Sequence, residues 1–146
     1  MKYNQKGFTL IELLAVIAIL AIIALITTPA ILNVIEDARL KGSEDKAWGV
    51  IAAVKQQYAT AGLTTGFNNS NLEVNFASAV ASQTIGGQKV QMSGERPTAG
   101  KVTINSDGSV KCENLRFNTN GNYICTSNTE GTKMCCKRGT ANVTCS

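Results

Sequence analysis

A chain of 146 residues is about the size of one ordinary domain, so a second independently folded unit is not expected. Its 14 Lys+Arg against 10 Asp+Glu give a formal charge of +4, too mild to hold nucleic acid by electrostatics alone. There is no histidine, no phosphate-cradling glycine loop and no pair of acids away from a helix's polar face, so neither catalysis nor a resident cofactor is expected.

The charge is not spread evenly. Lys2 and Lys6 precede an apolar run in which residues 13–26 contain no polar side chain. As a helix rising about 1.5 Å per residue, residues 8–26 would span about 28 Å, close to the hydrocarbon thickness of a bilayer. The basic leader keeps the N-terminus cytosolic by the positive-inside tendency and sends the rest across. A secretory signal peptide is the competing reading, with Lys2 and Lys6 as its basic region and residues 13–26 as its apolar region. Two features speak against it. Thr27-Thr28-Pro29-Ala30 is a poor cleavage site, and Glu12 puts a carboxylate into the apolar segment, where it is costly without a partner.

Beyond Pro29 the helical period resumes. Ile31, Val34, Ile35 and Ala38 recur at three- and four-residue spacing, and Ala47, Ile51, Val54 and Tyr58 repeat the stripe. Pro29 lacks an amide hydrogen and frees the carbonyl of Leu25, so a kink or local loosening is expected there. The helix is expected to end between Thr60 and Gly62. It has two regimes: an all-apolar part that lipid or other subunits must cover, and an amphipathic part that rests on the chain's own domain.

Residues 63–75, rich in Thr, Gly and Asn, read as a loop, and residues 76–85 give no clear pattern. From Gln88 the period becomes two. Val90 alternates with Met92 and Val102 with Ile104, then Val110 and Cys112 follow Ser106-Asp107-Gly108, which makes a hairpin about an Asp-Gly turn. Leu115 and Phe117, then Tyr123 and Cys125, flank the Asn-rich residues 118–122 as a further strand, turn and strand. The expected fold is α+β: a long N-terminal α-helix packed on a small C-terminal antiparallel β-sheet. Its parts are a leader (1–7), an apolar membrane and assembly helix (8–29), an amphipathic half (30–62) and a loop and cysteine-containing sheet region (63–146), the last two forming one domain.

All five cysteines, Cys112, Cys125, Cys135, Cys136 and Cys145, fall in the last quarter of the chain, on the exported side, which suits disulfides. Two bridges leave one thiol over; Cys112 with Cys125, and Cys145 with Cys135 or Cys136, each close a short loop near a turn. Structural zinc is the alternative, but there is no CxxC pair and no histidine to serve as ligands. Lys133, Lys137 and Arg138 form a small basic group that reads as a solvated loop, giving DNA contact only weak support. Trp48 reads as packing. Asn68-Asn69-Ser70 and Asn142-Val143-Thr144 are sequons of a kind that polar stretches produce by chance.

The block Lys6-Gly7-Phe8-Thr9-Leu10-Ile11-Glu12, with the leader before it and the apolar run to Pro29 behind it, resembles the processing and assembly motif of type IV pilins and type II secretion pseudopilins. The resemblance continues more loosely to Tyr58. It implies cleavage between Gly7 and Phe8 by a membrane-embedded prepilin peptidase, and methylation of the new Phe8 amine. Glycine at such a junction lets the chain extend into a cleft without side-chain conflict. The resemblance also implies that Glu12 meets the N-terminal amine of a neighbouring subunit and sets the register of assembly. Pairing within its own chain, or simple stabilisation of the helix start as an acid at the dipole, are the other readings of Glu12. Pro29 matches the proline that relatives carry at this distance, while Ala21 stands where many have glycine. Residues 94–108 look loosely like strands of some Gram-positive pilin-like proteins.

Three functions follow as expectations: a type IV pilus subunit for adhesion, motility or DNA uptake; a pseudopilin of a secretion or competence pseudopilus; or a membrane-anchored binding module that never polymerises. The implied partners are other copies of the chain, the peptidase, the pilus assembly machinery and, before assembly, the cytoplasmic membrane; after assembly the chain is extracellular.

Overall fold

The computed structural model describes residues 7–63, 72–77, 84–118 and 122–146. The leader lysines Lys2 and Lys6, the sequon at Asn68 and most of the Asn-rich residues 118–122 lie outside the described residues. Contacts divide the chain into two units, Met1–Ala38 and Arg39–Ser146.

A single helix, α1 (Leu10–Gly62), runs through both. It ends where glycine was expected to end it. Pro29 lies inside it without interrupting it. Just ahead of the proline, Thr27 donates its hydroxyl to the Ile23 carbonyl at 3.0 Å and Thr28 donates to Ala24 at 2.6 Å. In the first unit the apolar side chains from Phe8 to Ile35 stay exposed. In the second, α1 buries Ser43, Ala47, Val50, Ile51, Val54 and Ala61, the three- and four-residue spacing of one helical face. The buried face therefore begins about a dozen positions later than Ile31, where the periodic stripe starts. Ile31, Val34 and Ile35 share the spacing but not the burial.

The strands are β1 (Leu72–Asn75), β2 (Thr84–Ile85), β3 (Gln88–Lys89), β4 (Ala99–Ile104), β5 (Val110–Phe117), β6 (Tyr123–Ser127) and β7 (Met134–Arg138). Five of them form an antiparallel sheet in the order β1-β4-β5-β6-β7, and β2 pairs with β3 as a separate short hairpin. Two expectations need correcting here. Residues 72–75 are a strand and not a loop: Leu72 and Val74 alternate with Glu73 and Asn75, and Val74 is fully buried against its register partner Val102. Val90 and Met92 are not in a strand; β3 stops at Lys89, although Val90 is still buried in the core.

The β4–β5 hairpin forms where the Asp-Gly turn predicts it. The Asn105 amide donates to the Ser109 carbonyl at 2.9 Å and the Gly108 amide to the Asn105 carbonyl at 2.9 Å. Asp107 accepts from the Ser109 hydroxyl at 2.7 Å and from its amide at 2.8 Å. Those two bonds hold its carboxyl below the ordinary range.

On its inner face the sheet presents Val74, Val102, Ile104, Val110, Cys112, Leu115, Phe117 and Cys125, which share one buried cluster with Ala47, Val50, Ile51 and Val54 of α1. Burial at Cys112 and again at Leu115 breaks strict alternation, because β5 carries a bulge. Asn114 has φ 52°, and the register steps from Lys101↔Glu113 to Ala99↔Arg116. Gly100 fits the bulge because a Cβ there would lie 2.4 Å from the Asn114 carbonyl oxygen, and its own φ is 99°. Past the bulge, side-chain hydroxyls replace the ladder. The Asn114 amide donates to Thr126 Oγ1 at 3.0 Å and the Cys112 amide to Ser127 Oγ at 2.9 Å, which accounts for two buried hydroxyls in a β-sheet.

All five residues of β6 are buried. One face looks toward α1, with Cys125 Sγ 3.5 Å from the Ser43 carbonyl. Toward the other the C-terminal residues are tied down. The Val143 amide donates to Asn114 Oδ1 at 3.1 Å, Arg116 donates to the Thr140 carbonyl at 3.0 Å, and Cys145 is bridged to Cys135. A further staple joins helix and loop: Glu95 takes the Lys46 ammonium at 2.7 Å and the Asn118 amide at 3.1 Å.

Candidate processing and assembly site

Gly7, Phe8 and Thr9 precede the helix in non-helical conformation and are exposed, Phe8 to 86% of its surface. The peptide between Gly7 and Phe8 is thus outside α1 and open to an enzyme. What stops the helix is local chemistry. The Leu13 amide reaches the Thr9 carbonyl at 3.3 Å, making Thr9 the residue that flanks the first turn. The Glu12 amide donates to Thr9 Oγ1 at 3.3 Å, and Glu12 Oε2 accepts both the Thr9 amide and the Thr9 hydroxyl at 2.8 Å. This reciprocal arrangement is a capping box, in which Thr9 and a glutamate three residues on satisfy amides that the first turn leaves without partners. In the single chain Glu12 thus caps the start of α1, an arrangement that the Thr-x-x-Glu spacing signals, with Thr9 as its partner.

Behind the cap α1 is long and apolar enough to cross a membrane, and its most apolar window is not buried by the rest of the chain. Phe8, Glu12 and Pro29 therefore lie on one segment, separated from one another along it.

The cysteines are elsewhere, in the second unit. The structure bridges Cys125 to Cys136 and Cys135 to Cys145, and leaves Cys112 a buried thiol. The Cys112–Cys125 pairing expected from loop length is not made, and register is the reason. Cys125 stands opposite Leu115 on β5 and opposite Cys136 on β7, so Cys112 is displaced along the strand beyond the bulge. Of the two partners offered to Cys145, Cys135 takes it. Adjacent residues of a strand point to opposite faces, so Cys135 and Cys136 anchor β7 from both sides. Four of the five thiols are thereby spent and cannot serve as zinc thiolates. Cys112 touches Met134 Sδ at 3.6 Å, and burial pushes its thiol up to about 11.

The basic group is exposed at all three residues, but only Lys133 sits in a loop. Lys137 and Arg138 end the edge strand β7, and Lys133 donates to the Ser146 carbonyl at 3.1 Å. On the opposite side of the sheet order, Lys101 bonds Glu73 at 3.1 Å and Glu113 at 3.4 Å, which raises its ammonium above the ordinary value.

Comparison with known proteins finds no matching curated protein and no matching solved structure. Residues 2–28, the stretch that contains the Gly7–Phe8 junction, the capped Glu12 and the exposed apolar helix, match the family described as the prokaryotic N-terminal methylation motif. The chain thus carries the N-terminal signature of type IV pilins and pseudopilins.

Proposed function

We propose that this chain is the structural subunit of a type IV pilus, cleaved after Gly7 by a prepilin peptidase, methylated at the Phe8 amine and polymerised through α1 into an extracellular filament for adhesion, motility or DNA uptake. The observation that carries the reading is the apolar part of α1, exposed all round immediately behind a processing motif. A lone soluble protein rarely leaves so much apolar surface uncovered, and a helix of this kind asks for lipid first and for other copies of itself later. Glu12 supports the same reading. An acid in such a segment gains from a cation at close range, and cleavage creates one, the amine of Phe8. The cytoplasmic membrane before assembly and the cell exterior after it are the corresponding locations, consistent with disulfides in the second unit.

Mass spectrometry of protein sheared from the cell surface tests the processing step. The expected N-terminus is Phe8 bearing one extra methyl group, and Gly7→Val leaves full-length precursor in the membrane. An N-terminus at Met1, or one following Ala30, contradicts the proposal. Subunits found only in short periplasmic or wall-spanning assemblies, correctly cleaved, would assign the chain to a pseudopilus instead.

A further inference from the structure

Between Phe8 and Thr28 the chain has four polar side chains, Thr9, Glu12, Thr27 and Thr28. Each finds its hydrogen-bond partner within three or four residues along the chain. Thr27 and Thr28 return their hydroxyls to the carbonyls of Ile23 and Ala24, and Thr9 and Glu12 bond each other three times. Lipid offers no such partners, so a helix that must wait in a bilayer needs its polar groups satisfied internally. The two threonines show that α1 meets this condition far from its N-terminus, where no cap is involved.

We infer that Thr9 is a positioning residue for Glu12: it holds the carboxylate on its own helix while the chain waits in the membrane and presents it at the start of the helix when a second copy arrives. This rests on the filament reading above. Both residues lie beyond Gly7, so cleavage removes neither. The carboxylate's present partners are an amide and a hydroxyl, both neutral, so an incoming ammonium offers a stronger, charge-assisted bond for which the acid is already oriented. The Thr9 hydroxyl acts here through Glu12.

The test compares Thr9→Val, which keeps the shape and the backbone amide but removes both hydroxyl bonds, with Thr9→Ser, which keeps them. The full chain is expressed in its host. Thr9→Val is expected to be cleaved after Gly7 like the unchanged chain and to give about fivefold fewer filaments, an effect of the size an N-cap hydroxyl commonly carries. Thr9→Ser restores the yield. In detergent micelles the Glu12 amide, which donates to Thr9 Oγ1, exchanges its hydrogen roughly fivefold faster in Thr9→Val than in Thr9→Ser. Unchanged filament yield from Thr9→Val, a Thr9→Ser no better than Thr9→Val, or a Thr9→Val precursor left uncleaved would each overturn the inference. If the unchanged chain is cleaved but builds no filament, the pilus reading fails, while the exchange rates in micelles still decide whether Thr9 holds Glu12.

Discussion

Cys112 is fully buried in β5, with its sulfur against Met134 and its amide bonded to Ser127. Its thiol ionises at about 11 in the fold against 9.0 ordinarily, because a thiolate in that setting would lose its hydration. A pKa raised on folding contributes stability that is complete below the unfolded value and disappears as pH rises through the folded one. Between pH 9.0 and about 11 the fold should therefore lose about 2–3 kcal/mol on account of this group. Urea unfolding at pH 8 and at pH 11 measures the loss, and Cys112→Ala, less stable at the lower pH, should show a decline smaller by that amount. An identical decline in both proteins would assign it to other groups, Lys101 among them, whose raised ammonium acts in the same direction at still higher pH. That Cys112 lies on a strand was legible from its alternation with Val110. That it is the odd thiol was not, because pairing depends on the β5–β6 register, which a left-handed Asn114 shifts without any motif to announce it.

Among the elements, the helix and the central hairpin were written most plainly in the sequence, since a 3.6-residue period, an Asp-Gly turn and alternating apolar residues are local signals. The edge strands were not. β1 has only Leu72 and Val74 to show, directly after a stretch that reads as loop, and β7 reads Met-Cys-Cys-Lys-Arg, with its inner face made by Met134 and a bridged Cys136 in place of aliphatic residues. The bulge joining β4 and β5 is the element-scale feature most open to test. Gly100 has φ 99° and faces the Asn114 backbone so closely that a methyl group has nowhere to go. Gly100→Ala should lower unfolding free energy by about 2–4 kcal/mol, the sum of a disfavoured backbone conformation and a displaced strand. Gly42→Ala is the control: in the interior of α1 with open space around its Cβ, it should be neutral or stabilise by up to about 1 kcal/mol. Thermal unfolding of the two variants side by side decides the matter, and equal stability would mean that the sheet closes without the bulge.

At the scale of the whole molecule, two units of unlike chemistry share one helix. Arg39–Ser146 encloses its own core from one face of α1 and a five-stranded sheet, and holds two disulfides. Residues 8–35 enclose nothing and leave their leucines, isoleucines and valines exposed. The two regimes were visible in the sequence as a change from an all-apolar run to a one-sided stripe. The point of change was not, because spacing reports which residues share a face and not how far a core extends along it; Ile31 and Ile35 keep the rhythm and remain uncovered. On the proposed function the exposed segment is covered by copies of itself in a filament, with Glu12 needed for that assembly and not for the fold of Arg39–Ser146, whose buried cluster does not include it. Immunogold electron microscopy of intact host cells, with antibody raised against residues 39–146, measures this most directly when the unchanged chain and Glu12→Ala are compared at equal expression. Gold along surface filaments is expected for the former, and for Glu12→Ala gold confined to the cell envelope. Filaments of normal number and length from Glu12→Ala, or label restricted to the envelope in the unchanged chain, would contradict it.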